Sequence, residues 1–211
     1  MTSKEIANPE LAGCEVHGMT RGAFILRGAL AAGAAFGTTA VAPFVSGALA
    51  ASGTEGDVDI LNFALTLEYL EADFYNVKGR QVGLSGQAKQ YAKEFGAEEA
   101  AHVSALMAAI RELGGKPVGK PKFVFPATSE SSFLKLASVL ENTGVGAYNG
   151  AGPSLKSKKV LGAAGGIVQV EARHAAAIDL LLGNSPTPNG GFDVPLTKEQ
   201  VLAKAGPLIK S

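Results

Sequence analysis

The chain has 211 residues, carries 19 acidic and 19 basic side chains, and contains one cysteine and no tryptophan. This length allows one domain with a substantial hydrophobic core. The balanced charge gives no support to nucleic acid binding, which needs a basic surface. A single cysteine excludes a disulfide framework within the chain and an iron centre held by several thiolates.

Residues 1–50 are predicted to be a leader that directs export. Positions 24–51 are almost uncharged and rich in alanine and glycine, and the stretch ends in the cleavage signal Ala48-Leu49-Ala50. Arg21-Gly22 resembles a twin-arginine signal that lacks its second arginine, so the export route stays open. We expect cleavage and a periplasmic or extracellular protein. A retained leader would be long enough to reach across a bilayer, which needs about 20 apolar residues.

Two predicted helices follow a short polar linker. The first runs from about residue 57 to 77, because its apolar residues recur at intervals of three and four, and residues 79–83 are expected to form a turn. Ser85 is the expected N-cap of the second helix, which is predicted to end at Gly114-Gly115.

A long connection separates the second and third predicted helices. Residues 115–128 contain three prolines and no helical period, so we expect an extended segment. If the two helices run parallel with their candidate ligands at the same level, the end of the second helix lies about 36 Å from the start of the third, at 1.5 Å per helical residue. The connection must cover this distance. Fourteen extended residues reach roughly 46 Å. The spacing therefore predicts a long crossover in a four-helix bundle.

The third helix is predicted from a cap at Ser129 or Ser131 to about Asn149. It contains Gly144 and Gly146, two residues that are unfavourable in a helix. Two interpretations stay open: close packing against another helix, or room for substrate access and a shifted helix. Both would explain why small residues stand beside a candidate ligand.

The fourth helix is predicted from about residue 157 to 182, within a bundle domain that covers residues 51–183. Its three glycines suggest that another backbone approaches closely: Gly162, Gly165 and Gly166. Residues 184–211 are predicted to form a C-terminal loop and a short helix over 197–205. That helix could pack across the end of the bundle or form an oligomer contact.

One motif occurs twice in the predicted bundle. Glu99-Ala-Ala-His102 and Glu171-Ala-Arg-His174 each place a histidine three residues after a glutamate. Residues i and i+3 share a helix face, so each pair can offer a carboxylate and an imidazole to one ion. Single glutamates, Glu68 and Glu141, precede the motifs by 31 and 30 residues. Because the neighbouring residues are apolar, this pattern favours a buried two-metal site over two solvated Glu–His pairs.

Two other glutamates lie close to these candidates. Glu71 competes with Glu68 for the ligand role, but only Glu68 shares with Glu141 a tyrosine seven residues later, Tyr75 or Tyr148. Glu71 is then expected to contact the ligands or to be solvated. Glu98 lies about 100° around the helix from the candidate ligand Glu99, so we expect Glu98 to face solvent.

With these motifs the chain resembles the ferritin-like superfamily, and more narrowly the exported ferritin-like domain proteins that include desiccation-related sequences. The likeness covers about residues 57–183 and implies an all-α, ferritin-like four-helix bundle with a long crossover between helices two and three. Four segments carry it: LEYLEADFY at 67–75, EEAAH at 98–102, LENTGVGAY at 140–148 and VEARH at 170–174.

The resemblance also implies a role for each residue of the motifs. Six side chains would bind two metal ions: Glu68, Glu99, His102, Glu141, Glu171 and His174. Glu99 and Glu171 would bridge the ions, and each histidine would bind one. Tyr75 and Tyr148 would hydrogen-bond to the ligands and assist catalysis. Carboxylates and imidazoles without thiolates suit two iron ions, with manganese as the alternative.

The leading functional hypothesis is oxidation of Fe(II) by O2 or H2O2, in iron handling or defence against oxidative stress. One alternative is peroxide dismutation by two manganese ions, as in manganese catalases. Another is a structural, stress-protective protein in which metal only adds stability. The expected partners are metal ions and O2 or H2O2, with no nucleic acid, membrane association only through a retained leader, and a homo-oligomer as an open option.

Overall fold

The computed structural model describes residues 56–210, and the fold is all-α as predicted. The predicted leader, residues 1–50, lies outside the described residues. Between residues 56 and 210, no helix combines the length and apolar character needed to cross a membrane.

The first predicted helix is longer than expected and changes its winding. Helix α1 covers Asp57–Asp73, a π-helical turn covers Phe74–Lys78, and α2 covers Gly79–Val82. The predicted turn at residues 79–83 is therefore wrong. Gly79 keeps a helical backbone at a packed position, where an added Cβ would lie 3.5 Å from Leu84, Ala92 and Phe133, and within this stretch only Gly83 (φ +73°) turns the chain.

The second bundle helix, α3, covers Gly86–Glu112, and Gly114 (φ +77°) follows its end. Ser85 occupies the predicted N-cap position, but its side chain makes no capping hydrogen bond. Its backbone N–H and its hydroxyl instead donate to Glu130 Oε2, over 2.7 and 2.9 Å. This contact ties the start of α3 to the start of the next helix.

The connection between the second and third bundle helices is extended, as predicted. It contains strand β1, Lys122–Phe123, which pairs antiparallel with the C-terminal strand β2, Ile209–Lys210. Helix α4 then covers Glu130–Ala151, two residues beyond the predicted end, and a 3-10 turn follows at Gly152–Ser154. Ser129 and Ser132 form a capping box at its start.

The fourth bundle helix, α5, covers Lys158–Leu181, with Ser157 accepting a hydrogen bond from the Val160 N–H. Its glycines do not fulfil the predicted role. No atom lies within 4 Å of a Cβ built on Gly162, Gly165 or Gly166, so no other backbone approaches them. Gly162 and Gly166 are exposed, and Gly165 is half-buried.

The short C-terminal helix packs onto the bundle. Helix α6 covers Lys198–Ala205, with a capping box of Thr197 and Gln200, and it buries Val201 and Ala205. Both side chains join the apolar cluster that contains Phe74 and Phe133. Of the two predicted roles, packing is the one that the structure shows.

Two clusters of buried apolar side chains occupy the two ends of the bundle. One contains Leu70, Phe74, Phe95 and Phe133, and the other contains Ile60, Leu65, Ile110 and Ile167. Along each of the four long helices, the candidate ligands lie between residues of the two clusters. Helices α3 and α4 pass from the first cluster to the second, whereas α1 and α5 pass in the opposite direction. The second and third helices therefore run parallel, as the long crossover predicts.

Candidate metal centre

The six predicted ligands meet in the middle of the bundle. Each of the four long helices contributes at least one of them, and all six side chains are buried. They form two groups whose ligand atoms lie within 4.8 Å of one another. Glu99 and Glu171 belong to both groups, as bridging ligands would. The groups are Glu68, Glu99, His102 and Glu171, and Glu99, Glu141, Glu171 and His174.

The helical spacing of each motif directs its histidine towards the carboxylates. His102 Nδ1 lies 3.1 Å from Glu68 Oε2, 2.9 Å from Glu99 Oε2 and 3.0 Å from Glu171 Oε1. His174 Nδ1 lies 2.9 Å from Glu99 Oε1 and 3.4 Å from Glu141 Oε2. Each imidazole therefore offers Nδ1 to its own group of carboxylates.

The two tyrosines hold the single glutamates across the bundle. Tyr75, from the π-helical turn, donates to Glu141 Oε1, and Tyr148, from α4, donates to Glu68 Oε1. Each tyrosine thus binds the glutamate of the other half of the chain. The second oxygen of each carboxylate is left for the centre, which is the hydrogen-bonding role that the resemblance implies for Tyr75 and Tyr148.

Glu98 is partly exposed to solvent, as predicted, but it also contacts the centre. Its side chain is 44 % exposed, but Oε2 lies 2.6 Å from His174 Nε2. A partner on Nε2 fixes the ring so that Nδ1 points to the carboxylates, a common arrangement for metal-binding histidines. The Phe95 ring also stacks on the imidazole of His174, with the ring centroids 3.9 Å apart.

Glu71 is buried at 3 % exposure, so the structure excludes the solvated alternative. It lies beside the centre but belongs to neither ligand group. A Cβ built on Gly144 would lie 3.3 Å from Glu71 Oε1 and 3.2 Å from Glu171 Oε2. The glycine in α4 therefore lets two carboxylates approach its backbone, which adds a reason for a small residue beyond helix packing.

The histidines carry positive charge when no metal is bound. Burial alone would lower the pKa of His102, but its carboxylate neighbours, above all Glu171, outweigh burial and raise that pKa to about 12. Burial likewise opposes the protonation of His174, and the carboxylates of Glu141 and Glu99 raise its pKa to about 11. Both rings are therefore cationic near neutral pH.

The buried carboxylates differ in charge because only Glu99 contacts both histidines. Burial raises the pKa of Glu68 to about 8, in spite of its hydrogen bond with His102. Burial and the charge of Glu171 raise the pKa of Glu71 well above its ordinary value. Burial also acts on Glu99, but its contacts with both histidines outweigh it and lower its pKa to about 2. The centre therefore holds ionised and protonated carboxyl groups side by side.

The tyrosines remain neutral donors. Burial, followed by the charge of the carboxylate that each one binds, raises the pKa of Tyr75 and Tyr148 well above the ordinary value. A tyrosine of this kind keeps its O–H, and it can stabilise a carboxylate without adding a negative charge.

The donor set fits a pair of metal ions. Within residues 56–210, five buried polar atoms make only close contacts without hydrogen-bond geometry, such as the 2.9 Å from His174 Nδ1 to Glu99 Oε1. They are Glu99 Oε1, Glu141 Oε2, both oxygens of Glu171, and His174 Nδ1. Unpaired buried polar atoms are costly, and coordination to a cation would satisfy all five. Carboxylate oxygens and imidazole nitrogens, without thiolates, suit iron or manganese.

Sequence reasoning missed Glu98 and left Glu71 undecided. Its position on α3 predicts that Glu98 faces solvent, because a prediction from one helix does not include His174 on the neighbouring α5. Glu71 lies three residues after Glu68, on the same face of α1, and that spacing was a usable signal for burial.

Comparison with known proteins supports the same architecture. A family model described as a ferritin-like domain matches residues 56–184. No curated protein gives a significant match to the chain. Because the family match covers more than half of the chain and coincides with the four helices that surround the centre, the protein belongs to the ferritin-like domain family.

Proposed function

We propose that the protein holds two iron ions and oxidises Fe(II) with O2 or H2O2 in iron handling or oxidative-stress defence. The observation that carries this proposal is the pair of ligand groups that share Glu99 and Glu171. The proposed ligands are Glu68, Glu99, His102, Glu141, Glu171 and His174. Two iron ions held there would supply redox chemistry, because each can pass between the divalent and the trivalent state.

The residues of the chain perform the binding and the proton handling in this proposal. The four carboxylates among the proposed ligands balance the charge of two divalent ions. His102 and His174 would give up their protons to bind metal through Nδ1, and Glu98 would hold the ring of His174 in place. Tyr75 and Tyr148 would keep Glu141 and Glu68 oriented. The two apolar clusters limit the access of water from the bundle ends.

The first test is elemental analysis of the full chain, purified without chelators or added metal. We expect about two iron ions per chain, in accordance with the two ligand groups. Glu99→Gln combined with Glu171→Gln removes a charge from both shared ligands and should abolish most of the binding. The matched control changes two exposed glutamates of α3, the helix that carries Glu99: Glu94→Gln and Glu112→Gln should leave the metal content unchanged. Equal metal content in both variants would end the proposal.

The identity of the metal and its turnover separate the alternatives. Consumption of O2 or H2O2 during Fe(II) oxidation supports the leading proposal. Two manganese ions, with oxygen release from peroxide, would replace it with peroxide dismutation. Metal that raises the melting temperature without any redox turnover would replace it with a structural role. Export to the periplasm or the medium is part of the proposal and is tested by fractionating cells that produce the full chain.

A further inference from the structure

A cavity of about 640 Å³ opens beside the π-helical turn. Its lining combines apolar groups with long cationic side chains. Tyr75, Leu84 and Ala92 supply apolar wall, and Arg80, Lys89 and Lys93 supply the charge. The volume lies in the range typical of sites for small organic molecules.

Part of the cavity wall consists of glycine backbone without side chains. Gly83 and Gly86 line the cavity in the left-handed region, with φ of +73° and +47°, and no atom lies within 4 Å of a Cβ built on either. On the inner side, Asn76 donates from Nδ2 to the Gly96 carbonyl over 2.6 Å. This bond fastens the π-helical turn to α3, and π-helical turns occur often at functional sites.

The charge of the cavity has one sign. Its lining contains three cationic side chains and no carboxylate. Within residues 56–210, Arg80, Lys89 and Lys93 have no carboxylate partner in an ion pair. Such a lining attracts anions and repels metal cations, so the cavity is poorly suited as the route by which Fe(II) reaches the centre.

We propose that this cavity binds an amphipathic organic anion, namely a carboxylate with an aliphatic or aromatic body. The apolar wall would cover the body, and the three cations would hold the carboxylate. Tyr75 forms part of the wall and donates to Glu141, so the ligand would lie one side chain away from a proposed metal ligand. Binding itself does not require metal, and this inference therefore stands or falls separately from the proposed function.

The test compares two amphiphiles with similar alkyl chains and opposite charge. Decanoate and decyltrimethylammonium are titrated by calorimetry into the full chain, both as purified and after metal removal. We expect decanoate to bind at one site at least about tenfold more tightly, the difference expected from one charge-assisted contact. Equal affinity for both probes would overturn the proposal. Loss of decanoate binding after metal removal would refute the claim that binding does not require metal.

Two variants then locate the site. Gln90 is an exposed residue of α3 that lines the cavity, and Gln90→Trp should occupy part of it and weaken decanoate binding at least about tenfold. Arg80→Gln, Lys89→Gln and Lys93→Gln together should do the same. The matched control, with Lys116→Gln, Lys135→Gln and Lys158→Gln, changes the net charge equally on exposed residues outside the lining. Binding that both test variants retain, or that the control loses to the same extent, would place the anion elsewhere and refute the assignment.

Discussion

At the scale of single residues, the two histidines of the repeated motif are held differently. His174 is 2 % exposed, its Nε2 contacts Glu98, and its ring stacks on Phe95. The residues that correspond to Glu98 and Phe95 in the second motif are Val170 and Ile167, which cannot accept a hydrogen bond or stack. We infer that Glu98 positions one histidine only, so the two halves of the centre are not equivalent.

This difference leads to a prediction for Glu98. Glu98→Ala removes the acceptor on His174 Nε2 and should weaken binding of one of two metal ions by about tenfold. Glu98→Gln keeps a neutral acceptor and should lose less. Competition with a chelator measures both binding steps. Glu94→Ala, an exposed change one turn earlier in α3, serves as the control. If Glu98→Ala behaves like this control, the carboxylate does not position the ring.

The tyrosines allow a second prediction at this scale. Tyr75→Phe and Tyr148→Phe each remove the donor to a buried carboxylate and should lower the free energy of unfolding by about 1–3 kcal/mol. Tyr69→Phe is the control, because the Tyr69 hydroxyl donates only to the Met107 sulfur, over 3.4 Å. Urea denaturation gives the three values. Similar losses in all three variants would show that the bonds to Glu141 and Glu68 add nothing specific.

At the scale of elements, the glycines of α4 are in close contact with another segment of the chain, whereas those of α5 are not. A Cβ on Gly150 would lie 2.0 Å from the carbonyl oxygen of Leu196, and one on Gly146 would lie 2.6 Å from the Leu196 side chain. The Leu196 N–H also donates to the Gly146 carbonyl over 2.9 Å. The small residues of α4 therefore allow the chain before α6 to cross this helix in contact with its backbone.

This contrast predicts opposite effects of the same substitution. Gly150→Ala should destabilise the protein by more than about 2 kcal/mol, because the methyl group meets backbone and the crossing chain must move. Gly162→Ala lies in α5 with no atom within 4 Å and should stabilise it by up to about 1 kcal/mol, through helix propensity. Thermal and urea denaturation test both. A stable Gly150→Ala variant would mean that the chain around Leu196 is not packed against α4.

At the scale of the whole molecule, the bundle stabilises a charged centre between two apolar clusters. Burial separates the carboxylates from water, and only two histidines supply positive charge to them within the centre. The metal-free centre compensates by holding protons, since the pKa of Glu68 rises to about 8 and those of His102 and His174 to about 12 and 11. Metal ions would displace these protons.

This competition fixes the sign of a pH dependence. Groups with raised pKa stabilise the metal-free fold below their unfolded values, 4.5 for Glu68 and 6.5 for the histidines, and this contribution is lost as the pH rises towards the folded values. The affinity for metal rises over the same pH range, because fewer protons must leave the ligands when metal binds. We therefore expect the rise in melting temperature caused by Mn(II) to be larger at pH 8 than at pH 6. Anaerobic calorimetry measures it, and a smaller rise at pH 8 would contradict these proton assignments.

Residue periodicity and motif spacing were enough to predict the fold class, the long crossover and the identities of the six residues that converge. The reason is that periodicity and i, i+3 spacing are properties of one helix, and a repeated motif can be aligned without knowing how helices pack. Three features became visible only once the helices were packed together: the contact of Glu98 with His174, the burial of Glu71, and the hydrogen bond from each tyrosine to the glutamate of the other half of the chain. Each of these depends on side chains from different helices. The helix that continues through Gly79 and the open surroundings of Gly162 could not be predicted for the same reason. The surroundings of a glycine depend on how other elements pack around it, and its own sequence position does not reveal them.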